Sequence, residues 1–314
     1  MRTAVIGVGY LGRFHAQKYA ALEGSELVAV VDVAAENRER LAAELGVRAL
    51  ADYRELLGRV DAVSIATPTP FHFEIASAFL ESGAHVLVEK PITTTVEDAR
   101  RLIEVAAGAG RVLQVGHLER FNSGILALDG VLTVPRFIES HRLAPFKQRG
   151  TDVNVVLDLM IHDIDIIQDI VHAPIASLDA VGASVFSGEL DIANARIRFA
   201  NGCVANTTAS RVSLKTERKL RIFQDDAYMS VDLQQKILTV VRKTPGEVRG
   251  DALPVAIEER SFEQGDALKA EIEAFLDCIA RGKPPIVSGE DGLRALETAI
   301  RITEQVTGQR YEPA

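Results

Sequence analysis

Two side chains that can exchange protons, Asp158 and His162, lie four residues apart within the stretch Val153 to Val171. A helix over this stretch would place them one turn apart on one face, where a carboxylate can orient an imidazole and raise its basicity. Such a pair can take a proton from a substrate. In the alternative interpretation, both residues belong to a polar stripe that faces solvent.

A third ionisable candidate, Lys90, follows an apolar strand and precedes Pro91. Proline fixes the turn, and the strand before it would direct the lysine toward the edge of the sheet where ligands bind. If a bound ligand places a cationic ring beside the lysine, the pKa of the lysine can fall, so that the residue can take part in proton transfer. The alternative is an ordinary surface cation.

The elements that must position these side chains begin at the N-terminus. A short apolar strand is followed by Gly7, Gly9 and Gly12 and then by an amphipathic stretch. Gly7 permits the tight turn, Gly9 lets a pyrophosphate approach the backbone, and Gly12 lets the helix lie close to the sheet. The helix N-terminus adds N–H groups and a positive dipole end. The pattern predicts a dinucleotide-binding loop, with a phosphate-free turn as the alternative.

Asp32 ends the second strand, Leu27 to Val31, twenty residues after Gly12. A carboxylate at this position accepts hydrogen bonds from a ribose 2′-OH and repels a 2′-phosphate. No arginine follows at once, although Arg38 and Arg40 lie further along the chain. NAD is therefore favoured over NADP as the cofactor. In the alternative interpretation, Asp32 only caps the next helix.

Strands alternate with helical patterns as far as about Gln114. This order predicts a parallel, doubly wound α/β sheet that binds ligands at the carboxyl ends of its strands. We therefore assign cofactor contacts to the glycine loop and to residues at or after the strand ends: Gly7, Gly9, Tyr10, Leu11, Gly12, Asp32, Thr67, Pro68, His72, Glu89 and Lys90.

The stretches GVGYLG, VVD, ATPTPFH, VEKP and DLMIHDID resemble the glucose–fructose oxidoreductase and inositol dehydrogenase (Gfo/Idh/MocA) family along almost the whole chain. The resemblance implies a Rossmann domain over residues 1–120. It also implies a substrate-binding α/β domain over 121–314, built on an open, mostly antiparallel sheet through which subunits form a homodimer or homotetramer. One departure is the segment TDVNVV, which stands where the family often has a glycine-rich stretch.

The resemblance also implies an activity, which is NAD(P)-dependent hydride transfer from a carbinol of a sugar or cyclitol. In such enzymes the lysine of the EKP motif contacts the substrate hydroxyl and the Lys–Pro bond is commonly cis. These properties carry over to Lys90 and Pro91. The substrate-binding aspartate carries over to Asp158 and the catalytic histidine to His162.

Several stretches, VGHLERFN, HRLAPF and RKLRIFQ among them, resemble the branch of the family that oxidises C3 of UDP-N-acetylglucosamine. The sequence leaves a free sugar or an inositol open as alternative substrates. An alternative of another class is a catalytically silent protein that senses NAD(P). The lysine and the Asp–His pair favour the enzyme, because a sensor would not need them.

Further substrate contacts are expected near the domain boundary and in a basic loop. His117, Arg120 and Asn122 lie near the boundary, where the alternative is a structured connector. Lys147 and Arg149 can bind a phosphate or a carboxylate, or can simply be solvated. His117 and Glu119 could suggest a metal pair, but no further histidine or cysteine follows at ligand spacing, so no metal is expected.

Composition restricts the class of protein further. The formal net charge of -9 over 314 residues argues against nucleic acid as a partner. Two cysteines, Cys203 and Cys278, indicate no disulfide framework. No apolar run approaches the length of about 20 residues that a membrane helix needs, and no signal peptide is evident. The sequence therefore predicts a cytoplasmic protein without a membrane partner.

Overall fold

The computed structural model describes residues 1–147, 153–245, 254–262 and 265–311, and the chain divides into two units. Among the described residues, the first unit comprises Met1–Leu118 and Asp266–Leu296, and the second comprises those within Glu119–Gly265 and Glu297–Glu312. The expected boundary at residue 120 lies next to Leu118. The sequence analysis, however, placed the whole of 121–314 in one domain, whereas the structure groups Asp266–Leu296 with the N-terminal part.

The regular elements follow one another in this order: β1 (Arg2–Ile6), α1 (Gly12–Ala21), β2 (Glu26–Val31), α2 (Ala35–Leu45), β3 (Arg48–Leu50), β4 (Ala62–Ile65), α3 (His72–Glu81), β5 (His85–Glu89), α4 (Val96–Ala109), β6 (Leu113–Gly116), α5 (Ser123–Leu126), β7 (Phe137–Leu143), α6 (Ile161–Val171), β8 (Ile175–Ala183), β9 (Ile192–Phe199), β10 (Val204–Ser210), β11 (Glu217–Phe223), β12 (Ala227–Asp232), β13 (Ile237–Lys243), β14 (Val255–Ser261), α7 (Ala267–Arg281) and α8 (Gly289–Thr307). Single 3-10 turns cover Tyr53–Leu56, Thr69–Phe71 and Leu118–Phe121, and a π-helical turn covers Val156–Met160. No helix of the described residues combines the length and the apolar character that crossing a membrane requires.

The first unit is built on a six-stranded parallel sheet in the order β3-β2-β1-β4-β5-β6. This order confirms the predicted Rossmann fold, in which the order of the strands reverses beside β1 and places the ligand site at that point. The sequence analysis missed β3, because a strand of three residues at the edge of a sheet is too short to show a period.

Helix α7 belongs to the first unit because of its apolar face. Leu268, Ile272 and Phe275 pack into the same buried cluster as Ala16 and Tyr19 of α1. Burial of each large apolar side chain stabilises a fold by about 1.5–3 kcal/mol. This packing therefore places α7 in the first unit, although α7 lies far from α1 in the sequence.

The second unit is built on an eight-stranded sheet in the order β14-β13-β12-β11-β7-β10-β9-β8. All neighbours are antiparallel except β7 and β10, so the predicted open, mostly antiparallel sheet is confirmed. In β7 the side chains alternate between buried and half-buried, and the buried ones lie on the face that α6 covers.

Candidate active site

The glycine loop between β1 and α1 leaves room for a phosphate at one position. A Cβ on Gly7, whose φ is +81°, would lie 2.8 Å from the main chain of Ala66, and a Cβ on Gly12 would lie 1.8 Å from the carbonyl oxygen of Gly7. Gly7 and Gly12 are therefore required by packing. A Cβ on Gly9 would meet no atom within 4 Å, so the backbone there is open to a ligand. Helix α1 begins without a side-chain cap, and the loop fits the pyrophosphate of a dinucleotide.

Asp32 at the end of β2 is held by the glycine loop itself. Its carboxylate accepts hydrogen bonds from the backbone N–H groups of Val8 and Ala34, each at 2.8 Å. Helix α2 has no side-chain cap, so the Asp32 carboxylate is not its N-cap. Arg38 donates to the carbonyl oxygens of Asp32 and Val33, at 3.3 and 3.1 Å. The carboxylate stands where the ribose of a dinucleotide is expected.

His72 links the two turns that follow β4 and β5. The ring is buried, and its two nitrogens lie 2.9 Å from the carbonyl oxygens of Thr67 and Pro91. Burial lowers the pKa of His72, an effect that the hydrogen bonds to both carbonyls partly offset. The Lys90–Pro91 bond is cis, as the family resemblance implies.

Glu89 turns inward from the end of β5. One carboxylate oxygen lies 3.0 Å from Nε2 of His15, and the other accepts a hydrogen bond from the backbone N–H of Lys90 at 3.3 Å. The Lys90 side chain is half-buried. Two side chains expected to contact the cofactor, His72 and Glu89, thus fix the turn that carries Lys90.

The helix that carries Asp158 and His162 is not the continuous α-helix that the sequence predicts. A π-helical turn, Val156–Met160, precedes α6. Buried Asn154 starts this turn, because its Oδ1 accepts hydrogen bonds from the N–H groups of two residues, Val156 and Leu157, each at 3.1 Å. Asp158 lies within the π turn and His162 in the first turn of α6, and both are half-buried. Single π turns occur frequently at functional sites.

Two further aspartates lie on α6 beyond His162: Asp165 is buried, and Asp169 is half-buried. Arg120 is buried and pairs with Asp165 and Asp169, with N–O distances of 3.4 and 2.5 Å. Asn122 donates to the carbonyl oxygen of Leu233 at 2.9 Å, and its own oxygen accepts from an N–H of α5. For Arg120 and Asn122 the sequence analysis allowed either substrate contact or a structured connector. The contacts of both side chains are those of a structured connector.

The remaining residues that were expected to contact the substrate differ in their exposure. His117 is buried, and Lys147 is exposed. Arg149 lies outside the described residues. Glu119, the sequence neighbour of His117 for which no metal is expected, is paired with Arg142 at 2.8 Å. Burial alone would raise the pKa of Glu119, but the charge of Arg142 and its hydrogen bond lower it overall.

The sequence analysis did not identify Arg142 as the partner of Glu119. The buried guanidinium of Arg142 on β7 also binds the carboxylate of Asp163 on α6, at 2.8 to 3.2 Å. The alternation of β7 was a usable signal, since it places Arg142 on the same face as Ile138. An arginine on a buried face requires a carboxylate partner. This pair holds α6 against the sheet and so positions the turn that carries His162.

Comparison with known proteins identifies the class of both units. Residues 1–117 match the Gfo/Idh/MocA model described as an oxidoreductase family with an NAD-binding Rossmann fold. Residues 138–312 match the model of that family's C-terminal alpha/beta domain. Together the two models cover most of the chain.

Among curated proteins, the UDP-N-acetylglucosamine 3-dehydrogenase of Acidithiobacillus ferrooxidans is 43% identical over 304 residues, which are 96% of each chain. A solved structure of that dehydrogenase superposes with a TM-score of 0.93 at 42% identity and covers 99% of both chains. The scyllo-inositol dehydrogenase of Lactobacillus casei, solved with NAD(H) and scyllo-inositol, has a TM-score of 0.81 at 23% identity, covering 98% of this chain and 97% of its own. At that identity the likeness is one of fold.

Proposed function

Because the chain belongs to the Gfo/Idh/MocA family, and is thus an NAD(P)-dependent dehydrogenase acting on a CH–OH group, we propose that it oxidises C3 of UDP-N-acetylglucosamine. The observation that carries this proposal is the likeness to a dehydrogenase of that name, which extends over nearly the full length of both chains. A curated relative named for an inositol, the myo-inositol 2-dehydrogenase of Thermotoga maritima, is only 28% identical. A free sugar or an inositol is therefore the second candidate substrate.

A panel of substrates tests this proposal. The purified enzyme is given NAD+ and one of UDP-N-acetylglucosamine, UDP-glucose, free N-acetylglucosamine or myo-inositol, and the formation of NADH is followed by absorbance. We expect kcat/KM to be highest for UDP-N-acetylglucosamine, because the uridine diphosphate supplies binding energy that a free sugar lacks. Faster oxidation of the inositol would contradict the proposal. Binding of the dinucleotide without turnover of any substrate would instead indicate a silent sensor.

In this proposal three ionisable residues take part in the reaction. His162 takes the proton of the substrate hydroxyl, and Asp158 binds the substrate and orients the imidazole. Lys90 donates a hydrogen bond to the oxygen as negative charge develops on it. Bound NAD+ supplies the acceptor for the hydride. The support is the half-buried position of all three side chains and the rigid turns that carry them.

We propose that NAD, and not NADP, is the cofactor, because the Asp32 carboxylate is fixed by two backbone N–H groups. Two unit charges 4 Å apart near a protein surface repel by about 1–4 kcal/mol. Replacement of Asp32 by serine should therefore narrow the preference for NAD by about tenfold, a change of about 1.4 kcal/mol. Fluorescence titration with both cofactors measures the change. Exposed Glu36 in the first turn of α2 is the matched control, since E36Q should leave the ratio unchanged. Equal affinities in the native protein would refute the assignment.

The exposed Lys147 and its neighbour Arg149 are proposed to bind the diphosphate of the substrate. Lys147→Ala and Arg149→Ala should each raise KM for the nucleotide sugar more than they lower kcat, as the loss of uniform binding does. Initial rates at saturating cofactor separate the two constants. Exposed Lys243 of β13 offers a control, K243A. An unchanged KM in both loop variants would show that the loop is only solvated.

We further propose that the chain is a homodimer or homotetramer through the sheet face opposite α6. Phe137, Phe223 and Tyr228 meet on that face, with ring centroids of successive pairs 5.7 and 4.9 Å apart. Phe223 is 37% exposed, and an exposed aromatic cluster on a sheet is typical of an interface. Light scattering after gel filtration should give a particle mass that is a multiple of the 34.1 kDa chain mass. Tyr228→Glu should lower this particle mass. A native monomer would contradict this proposal.

A further inference from the structure

Three ionisable side chains from distant parts of the sequence meet inside the first unit. His15 on α1, Glu89 at the end of β5 and Glu271 on α7 bring a ring nitrogen and two carboxylate oxygens within 4.8 Å of one another. His15 and Glu271 are fully buried, and the Glu89 side chain is 12% exposed. His15 and Glu271 have no role in the mechanism proposed above, yet the third member of the cluster, Glu89, directly precedes Lys90 in the sequence.

Two members of this cluster have a partner at each polar atom. His15 lies 3.0 Å from Glu89 through Nε2 and 3.2 Å from the hydroxyl of Ser64 through Nδ1. That hydroxyl in turn lies 2.9 Å from the hydroxyl of Tyr19. The second oxygen of Glu89 accepts the backbone N–H of Lys90. Glu89 thus connects the buried cluster to the main chain of Lys90.

Glu271 differs from both, because neither of its carboxylate oxygens has a hydrogen-bond partner among the described residues. The titratable groups that face it are His15 and Tyr19 from α1 and Glu89 from β5. From β6, Gln114 donates only to the Glu271 backbone carbonyl, at 3.2 Å. The lysine of α1, Lys18, is paired with Asp266 instead. Burial, and then the charge of Glu89, raise the pKa of Glu271 well above its usual range.

We propose that Glu271 is a neutral carboxylic acid in the folded protein, so that it and Glu89 together carry one negative charge and Glu271 acts as a positioning residue for Lys90. An ionised Glu271 would place a second negative charge beside Glu89 and compete with it for His15. The hold of Glu89 on the main chain of Lys90 would then weaken. A divalent cation would also neutralise the two carboxylates, but it would have to displace the hydrogen bond between His15 and Glu89. The inference concerns the first unit and does not depend on which sugar is oxidised.

Thermal unfolding at several pH values tests the protonation. A carboxyl group whose pKa is raised by folding binds more protons in the folded state, so the native protein loses stability as pH rises from the usual carboxyl range toward that raised pKa. Glu271→Gln has the same shape and stays neutral. Its Tm should equal the native Tm at about pH 4, where Glu271 is largely protonated in both states, and exceed it by several degrees at about pH 8. On the same helix, exposed Glu273, paired with Lys269, provides the matched control E273Q, which should show no such difference.

Two further measurements separate this proposal from a purely structural role. The infrared spectrum of the native protein at neutral pH should contain the carbonyl band of a protonated carboxyl group, which E271Q lacks and E273Q keeps. The kcat/KM of E271Q should match the native value at neutral pH and fall less than the native value at alkaline pH, whereas E271A, which cannot fill the site, should be lower throughout.

Three results would overturn the proposal. The first is the absence of the carboxyl band from the native spectrum. The second is destabilisation of E271Q at neutral pH as severe as that of E271A, because the charge itself would then be required. The third is a stoichiometric divalent metal, detected by plasma mass spectrometry in the native protein and missing from E271Q.

Discussion

Replacement of His162 by alanine is expected to lower kcat by about 10²- to 10⁴-fold, the usual contribution of a general base. The loss should fall on kcat, because proton removal from the substrate hydroxyl occurs only in the transition state. Affinity for the dinucleotide should change little, since its loop belongs to the first unit and His162 to the second. Cofactor titration beside steady-state kinetics separates these effects.

The pH dependence of kcat gives the sharper comparison. The native enzyme should lose activity on the acidic side as the base becomes protonated, and His162→Asn should lack that limb. His172, exposed at the end of α6 with a φ of +49°, is a suitable control. Asparagine tolerates this conformation, so H172N should keep the native profile. Native turnover of H162N with an unchanged acidic limb would show that His162 is not the base and would transfer that role to Lys90.

Replacement of Lys90 by methionine should reduce kcat at least as much as the loss of His162. Methionine keeps most of the length of the side chain but removes both a hydrogen-bond donor and a positive charge beside the developing alkoxide. In enzymes, removal of one such donor costs about 10²- to 10³-fold in kcat. Single-turnover measurements with saturating cofactor and substrate test the chemical step directly.

Exposed Lys283 in the first unit supplies the control for this experiment, because K283M makes the same chemical change outside the proposed site. Partial recovery in Lys90→Arg, which keeps the charge, would support an electrostatic role for the lysine. Native single-turnover rates in K90M would rule out any role of Lys90 in the chemical step.

The part of the fold that the sequence predicts best is the segment from β1 to Asp32. Here a strand, the spaced glycines, a helix and an acidic residue follow one another within 32 residues. Each of these features depends on neighbouring residues and can therefore be predicted from the sequence. The antiparallel sheet, which the family resemblance implies, also has a local signal in β7, whose side chains alternate between buried and half-buried.

Sequence reasoning failed where the controlling contact is distant. The π turn is a separate case, because the bonds of the Asn154 side chain to Val156 and Leu157 are local, but the apolar spacing of the segment also fits a continuous α-helix. The pairing of Arg142 with Asp163, and of Arg120 with the aspartates of α6, joins residues from separate elements. Glu271 lies on an ordinary amphipathic helix, and only the folded chain places it beside Glu89.

The position of α7 has a consequence for the order in which the chain becomes stable during synthesis. The core of the nucleotide-binding unit includes Ile272 and Phe275, which leave the ribosome long after Leu118. At about 5–20 residues per second the delay is on the order of ten seconds or more. During that interval the face of α1 around Tyr19 has no helix to cover it, so the N-terminal sheet emerges as an incomplete intermediate that chaperones can bind. The nucleotide-binding unit becomes complete only when the segment Asp266–Leu296 has been made.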